Sequence, residues 1–346
     1  MTNLTFPNNN IGYLCTDWQV ERGFGEKAAL LLVNKDETLS EFSYAQLTDL
    51  SNQAANLLST YGFLKGDRIM LLLSKSIEMY AFFLGSLKLG LNCCILFNSI
   101  GEDSIIERVK DTNTKAIIST SRMNFRLVKV LQKLDPSFRV FLVDETATEG
   151  QFIGVRGQFD LSSPSFLTSP TDPEQYSHFH FTSGSTGKPK AVQHSHAAII
   201  DHLRSFQAVM QAEPDDIYWC TADPGWVTGT TYGITAPWAS GLTQVSLDAN
   251  YDPTIWMSVI ERFKVSVFYT APTVFRMMAQ QDDFFYQQYN LNSLKRVYTV
   301  GEPLDPNLVI WGRKVFHCEI YDTWFQTETG SIMVANCPGL EVKPGS

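Results

Sequence analysis

Residues Phe179 to Lys190 (FHFTSGSTGKPK) concentrate the groups best suited to binding an anion. Thr182, Ser183, Ser185 and Thr186 bring hydroxyls, Gly184 and Gly187 allow tight backbone turns, and Lys188 and Lys190 add positive charge. Glycines let backbone N–H groups converge on one point, which together with hydroxyls and lysines is the chemistry of a phosphate cradle. It is not the Walker arrangement, which needs a glycine five places before Gly187, where this chain has Thr182. The alternation of YSHFHF (176–181) predicts a strand entering the loop, and AVQHSHAAII (191–200) predicts an apolar, helix-compatible run leaving it. A solvated Ser/Gly/Lys linker is the competing reading of the composition, and the ordered flanks argue against it.

Three later stretches carry residue types that plain scaffold does not require. Asp223 to Gly229 (DPGWVTG) holds Trp226 between glycines, and Gly301-Glu302-Pro303 follows the strand-like VYTV. In an α/β sheet such a turn after a strand is where a ligand sits. Tyr321 to Gly330 (YDTWFQTETG) packs acids, threonines and aromatics together after a further predicted strand. Each alone reads as a turn; with the phosphate loop, in this order, they point to one site. The histidines offer a rival chemistry, since five of the six fall between His178 and His202 and alternation puts His178 and His180 on one strand face. Zinc sites use such pairs, yet no nearby cysteine or paired carboxylate completes a set, so His178, His180, His194, His196 and His202 read as packing or hydrogen-bonding groups.

The elements that must position these stretches alternate along the chain. A mixed helical segment covers 11–30; GFGEKA inside it mimics a dinucleotide fingerprint but has no strand before it. The strand AALLLV from Ala28 and a helix to about Tyr61 follow, then a strand from Arg68 to Leu73. Helices near 76–90, 103–111 and 122–134 alternate with strands at 92–97, 115–119 and 138–143. Residues 144–176, rich in Ser, Thr, Pro and Gly, predict a long connection. A helix over 195–211, strands near 217–221, 243–247, 265–269, 295–300 and 315–320, and a helix from Thr273 complete the pattern. Strands separated by helices imply parallel sheets with helices on their faces, an α/β fold. No internal repeat is visible.

Composition narrows the partners. With 346 residues and 44% hydrophobic content the chain builds a large core and divides into subdomains. A net charge of -9 without a basic stripe argues against nucleic acid or an anionic membrane. The tryptophans do not alternate with basic residues, so Trp219, Trp238 and Trp256 read as core and Trp226 alone as placed for a ligand. The apolar stretch 77–97 carries Glu78 and Lys88 with interrupting glycines, which predicts a buried helix and strand, not a span. Six cysteines without CxxC spacing, and an N-terminus without a secretory signal, predict reduced thiols in a cytoplasmic protein.

Taken together, TSGSTGKPK, ADPGWVTG, YTAPTVFRM, GEPLDP and YDTWFQTETG resemble the adenylate-forming superfamily, nearest its acetyl-CoA synthetase branch. The resemblance runs from SNQAANLLSTYGFLKGDRI onward and implies the large N-terminal AMP-binding domain, two mostly parallel sheets with helices on their faces in a layered αβαβα arrangement. It implies subdomains of about 64–210 around the phosphate loop and 1–63 plus 211–346 around the acyl and adenine motifs. It also implies activation of a small carboxylic acid, acetate or propionate, by ATP with Mg²⁺, pyrophosphate release, and transfer of the acyl group to CoA.

By the same resemblance, Thr182 to Lys188 wrap the β- and γ-phosphates, and Gly301, Glu302 and Pro303 wall an adenine slot with Asp322 and Thr323. Thr327 touches the α-phosphate, Glu328 holds Mg²⁺, and Lys190 joins them in the catalytic set. Trp226, Val227, Thr228 and Phe325 line the acyl pocket, Phe325 standing where acetate-specific members carry tryptophan. Ala191 replaces a usual glycine. The chain stops inside the family's large domain, before a final small barrel and a C-terminal domain with its adenylation lysine, which predicts nucleotide binding with little turnover by the fragment. A carrier-protein phosphopantetheine acceptor and a non-catalytic nucleotide-binding remnant are the alternatives, and the oligomeric state stays open.

Overall fold

A computed structural model describes residues 6–182 and 188–345, so Ser183, Gly184, Ser185, Thr186 and Gly187 of the loop lie outside the described residues. The chain divides into two compact units, Met1–Glu26 with Ser43–Ile199, and Lys27–Phe42 with Ile200–Ser346. Each contains its own eight-stranded sheet.

In the first unit the strand order is Lys190–Ser195, Tyr176–Thr182, Asn92–Ile95, Arg68–Leu72, Ala116–Ser119, Arg139–Leu142, Phe152–Gly154 and Thr148–Glu149. The interior pairs are parallel, while the two edge pairs are antiparallel. Strands covered on both faces need continuous apolar runs, which RIMLL and AIIS supply; nearly every residue in them is buried. Met70, Ile117, Val140 and Phe179 meet helix residues Ile105 and Leu127 in one core cluster.

Helix Tyr44–Thr60 belongs to this unit. Ser43 and Gln46 form a reciprocal capping box at its start, and the helix crosses helix Ile77–Leu89 at Gly85. A Cβ on Gly85 would stand 2.4 Å from the Ser51 carbonyl oxygen, so only glycine permits that approach. By this contact residues 44–60 pack with the first unit, whereas the bounds the resemblance implied group residues 1–63 with the later half.

The second unit orders its strands Val334–Ala335, Ile320–Trp324, Arg296–Val300, Val267–Thr270, Ile217–Cys220, Thr243–Leu247, Ala28–Val33 and Leu39–Ser43. Ile320–Trp324 and Val334–Ala335 pair antiparallel; the five pairings that join Ala28–Val33 through to Ile320–Trp324 are parallel. Two clusters cover the faces, one around Trp219, Trp256, Phe268 and Phe275, the other around Tyr218, Tyr232, Tyr269 and Tyr298.

Three element assignments are corrected. Residues 144–176 are not a bare connection: they hold the strands Thr148–Glu149 and Phe152–Gly154 and helix Arg156–Leu161. The apolar run after the phosphate loop begins as the strand Lys190–Ser195, with helix Ala198–Met210 only afterwards, because Val192 and His194 pair with His180 and His178 across a hairpin. The strand expected at 315–320 starts at Ile320. Asp305 caps a helix Pro306–Phe316 by accepting from Asn307 N–H at 2.7 Å, and His317 closes it with φ 55°, so the β-branched residues there are helical.

Candidate active site

Strands of a parallel sheet point their C-terminal ends the same way, and the loops that follow them gather at one edge. In the second unit this gathers the turns after Ile217–Cys220, Thr243–Leu247, Val267–Thr270 and Arg296–Val300 around a cavity of about 550 Å³. That volume lies in the range of small-molecule sites, roughly 300–1,000 Å³. Trp226, Val227, Thr228, Gly301 and Glu302 all line it, so two motifs separated by more than seventy positions in sequence share one wall.

The DPGWVTG turn is built by its own backbone. Gly225 N–H donates to the Asp223 carboxylate at 2.8 Å and Trp226 N–H to the Asp223 carbonyl at 2.9 Å. The Thr230 hydroxyl donates to the Pro224 carbonyl at 2.7 Å. This folding brings residue 229 against residue 223, where a Cβ would come within 2.1 Å of the Asp223 carbonyl oxygen. Glycine at 229 is therefore a condition of the turn. Val227 is buried, and Trp226 stays 56% exposed, large and apolar at the rim.

In the second of these motifs Gly301 takes φ +96°, which turns the chain away at the end of its strand. Glu302 accepts from the Thr273 hydroxyl at 2.5 Å and is ion-paired with Arg276. Those two donors, Thr273 first, hold its carboxyl below the usual carboxylate range. The floor is polar as well: Thr221 and Thr270 hydroxyls lie 2.6 Å apart.

The YDTWFQTETG stretch starts inside a strand and ends in a turn. Register places Asp322 beside Thr299 and Thr323 beside Val300, one residue from Gly301. The Thr323 hydroxyl donates to the Thr299 carbonyl at 2.7 Å and meets Tyr269 Oη at 2.7 Å. Burial raises the Asp322 carboxyl above its ordinary value. Thr327 and Glu328 sit on the following turn, Glu328 exposed, with Gly330 N–H donating to the Gln326 carbonyl at 3.1 Å. Thr231 donates to the Gly330 carbonyl at 3.0 Å and Tyr232 Oη accepts from Ile332 N–H at 2.7 Å, so the segment after Trp226 anchors this turn. Phe325 packs edge-on against Tyr232 with ring centroids 5.3 Å apart, beside the tyrosine cluster and apart from the residues that line the cavity.

In the first unit Thr182 and Lys190 face each other in register at the mouth of the hairpin Tyr176–Ser195, with Lys188 exposed. The loop thus leaves one strand and enters another, and helix Ala198–Met210 begins eight residues later than Lys190. His178, His180 and His194 sit within about 5–6 Å of one another, His178 and His194 stacked at 5.1 Å. Among the described residues no group of three or more His, Cys, Asp or Glu is placed to hold a metal ion. No described helix is long and apolar enough to cross a membrane.

A model of the AMP-binding enzyme family matches residues 17–346, nearly the whole chain. The chain belongs to the AMP-binding enzyme family. Curated relatives of this family member include acetyl-coenzyme A synthetase of Bacillus subtilis, 38% identical over 97% of this chain, and that of Cupriavidus metallidurans, 34% identical over 97%. A solved structure, an acyl-CoA synthetase of Brucella canis, superposes with a TM-score of 0.89 at 27% identity over 98% of the chain. It shares the α/β fold of two mostly parallel sheets with helices. The chain spans 59% and 55% of the two relatives' lengths and 61% of the solved chain.

Sequence reasoning missed several groups of this AMP-binding domain. Thr221, Thr270, Ala249, Tyr251 and Val274 line the cavity, and Trp256, read as core, is both packed in the core and part of its wall. The signal was present: each lies at or just after the C-terminal end of a parallel strand, or on the helix that follows.

Proposed function

We propose that the protein activates a short carboxylic acid, acetate or propionate, with ATP and passes the acyl group to CoA. The observation that carries this reading is the cavity shared by Trp226–Thr228, Thr221/Thr270 and Gly301–Glu302 in an AMP-binding family member similar to acetyl-coenzyme A synthetases. Attack of a carboxylate on the α-phosphorus of ATP needs positioning and neutralisation of charge more than proton transfer. In this reading Thr182 to Lys188 hold the outer phosphates, Lys190 and Thr327 meet the charge developing nearer the α-phosphate, and pyrophosphate leaves. Gly301, Glu302, Pro303 and Thr323 wall the adenine, and the Asp322 carboxylate, half-buried in the middle of strand Ile320–Trp324, accepts from the adenine amino group.

Glu328 fits a magnesium ion: it is a single exposed carboxylate on a turn, and Mg²⁺ takes one or two carboxylates alongside phosphate oxygens. When bound, the ion neutralises phosphate charge. Trp226, Val227 and Thr228 bound the acyl group, while Phe325, expected beside them, packs on Tyr232 outside the cavity lining; we place the protein, whose cysteines form no disulfide, in the cytoplasm. The test is acid-dependent exchange of pyrophosphate into ATP with acetate, propionate, butyrate and hexanoate. Exchange with the two shortest acids is expected; hexanoate exceeding acetate overturns the assignment of the acid, and no exchange with any acid, from a protein of the relatives' full length, overturns the reaction.

A further inference from the structure

We infer that Thr273 and Arg276 are positioning residues for the cavity rim, locking Glu302 and cancelling its charge where an anionic ligand must enter. The inference rests on the reading that this cavity takes a nucleotide and a carboxylate.

Three hydrogen bonds close a ring. Thr273 Oγ1 donates to Glu302 Oε1 at 2.5 Å, while Arg276 Nη2 donates to Glu302 Oε2 and, at 2.6 Å, to Thr273 Oγ1. Thr273 and Arg276 are three apart on the helix Pro272–Met278, so both reach the same carboxylate from one face. The ring is the restraint on the Gly301–Pro303 turn, because packing supplies none at its start: a Cβ on Gly301, at φ +96°, would find no atom within 4 Å. A turn in open space keeps one geometry when a side chain ties it down, and Glu302 is that side chain.

Two carboxylates, Asp223 and Glu302, line the cavity. Asp223 receives a neutral backbone N–H from Gly225, whereas Glu302 receives a guanidinium. An exposed glutamate is ionised at neutral pH whatever its donors, so without Arg276 the rim would present two uncompensated negative charges to a phosphate-bearing ligand. The Arg276 and Glu302 side chains are 46% and 39% exposed, a setting in which ion pairs add little to stability but do govern binding and its salt dependence.

The test is calorimetric titration of this chain with AMP, using the wild type, Arg276→Gln, Glu302→Gln, the double variant and Arg276→Lys, with thermal melts verifying that each folds. Arg276→Gln is expected to weaken AMP binding roughly tenfold at low salt. Adding Glu302→Gln should bring affinity back to within about threefold of wild type, because the two sites are coupled. Raising salt to about 1 M, where screening acts within about 3 Å, should close most of the Arg276→Gln gap, and Arg276→Lys should fall between. A merely structural role would produce neither the rescue nor the salt dependence. Equal AMP affinity in all variants, or a loss that the double variant does not relieve, overturns the inference and leaves the reading of the cavity intact; absence of AMP binding by the wild type overturns both.

Discussion

Lys88 in the first unit and Arg276 in the second each hold one carboxylate, and burial makes the two pairs different devices. Lys88 sits in the last turn of helix Ile77–Leu89 with its side chain wholly buried, bonded to Asp17 at 2.7 Å and to the Asn52 side-chain oxygen at 2.7 Å. Desolvation pushes its ammonium down to about 8 despite the pull of Asp17. Arg276 and Glu302 stand at a rim open to water. The first pair ties the N-terminal helices to helix Ile77–Leu89 and belongs to stability; the second shapes a turn and a field. An ion pair's distance alone does not tell these roles apart, since its surroundings set what its loss costs.

The largest effect expected is from Lys88→Ala, which removes the cation from the mostly buried Asp17 carboxylate and leaves the buried Asn52 oxygen without that donor. Chemical denaturation should show a loss of about 3–5 kcal/mol. A loss below about 1 kcal/mol would place Lys88 in the same class as an exposed pair and erase the contrast.

The pH dependence of stability sharpens the same point. Between about pH 8 and the ordinary lysine value of 10.5, the unfolded chain keeps a proton that the folded chain has released. Stability from this group therefore rises with pH across that window, by up to about 3 kcal/mol, and its cost is fully present below pH 8. The buried tyrosines, raised by desolvation, pull the other way at high pH, so the quantity to measure is the difference between wild type and Lys88→Met. A flat difference curve means that Lys88 is not desolvated.

Gly229→Ala probes whether the second unit also holds a site of rigid packing. Its new Cβ would press on the Asp223 carbonyl, and a cost of about 1–3 kcal/mol is expected, with AMP affinity falling alongside as the DPGWVTG turn shifts. An unchanged melting temperature means that this turn adapts freely. The smallest effect belongs to Arg276→Ala, expected to change stability by less than about 1 kcal/mol. If Arg276→Ala destabilises as much as Lys88→Ala does, the rim pair is structural and the comparison fails.

Much of the fold was legible because its strands are apolar runs and its helices announce their starts. AALLLV and TQVSL fall where periodicity places them, and helix Tyr44–Thr60 begins at a Ser43–Gln46 box. The strand Lys190–Ser195 was not legible, because KAVQHS is half exposed at a sheet edge and carries no continuous apolar run. The segment 144–176 hid two strands of two and three residues, too short for any period.

At the candidate site, DPGWVTG and GEP are recognisable in the sequence by their residue types, and parts of both line the cavity. The identity of the groups in the chain, the glycines that permit each turn and the order of the motifs were set by sequence, because they act over a few bonds. Tertiary structure decided that Trp226 and Gly301 share a wall, that Trp256 and Tyr251 join them, and that Arg276 answers Glu302. Those outcomes depend on which strands lie side by side, Val267–Thr270 between Ile217–Cys220 and Arg296–Val300. Strand order is fixed by long-range burial, and no local pattern in the chain encodes it.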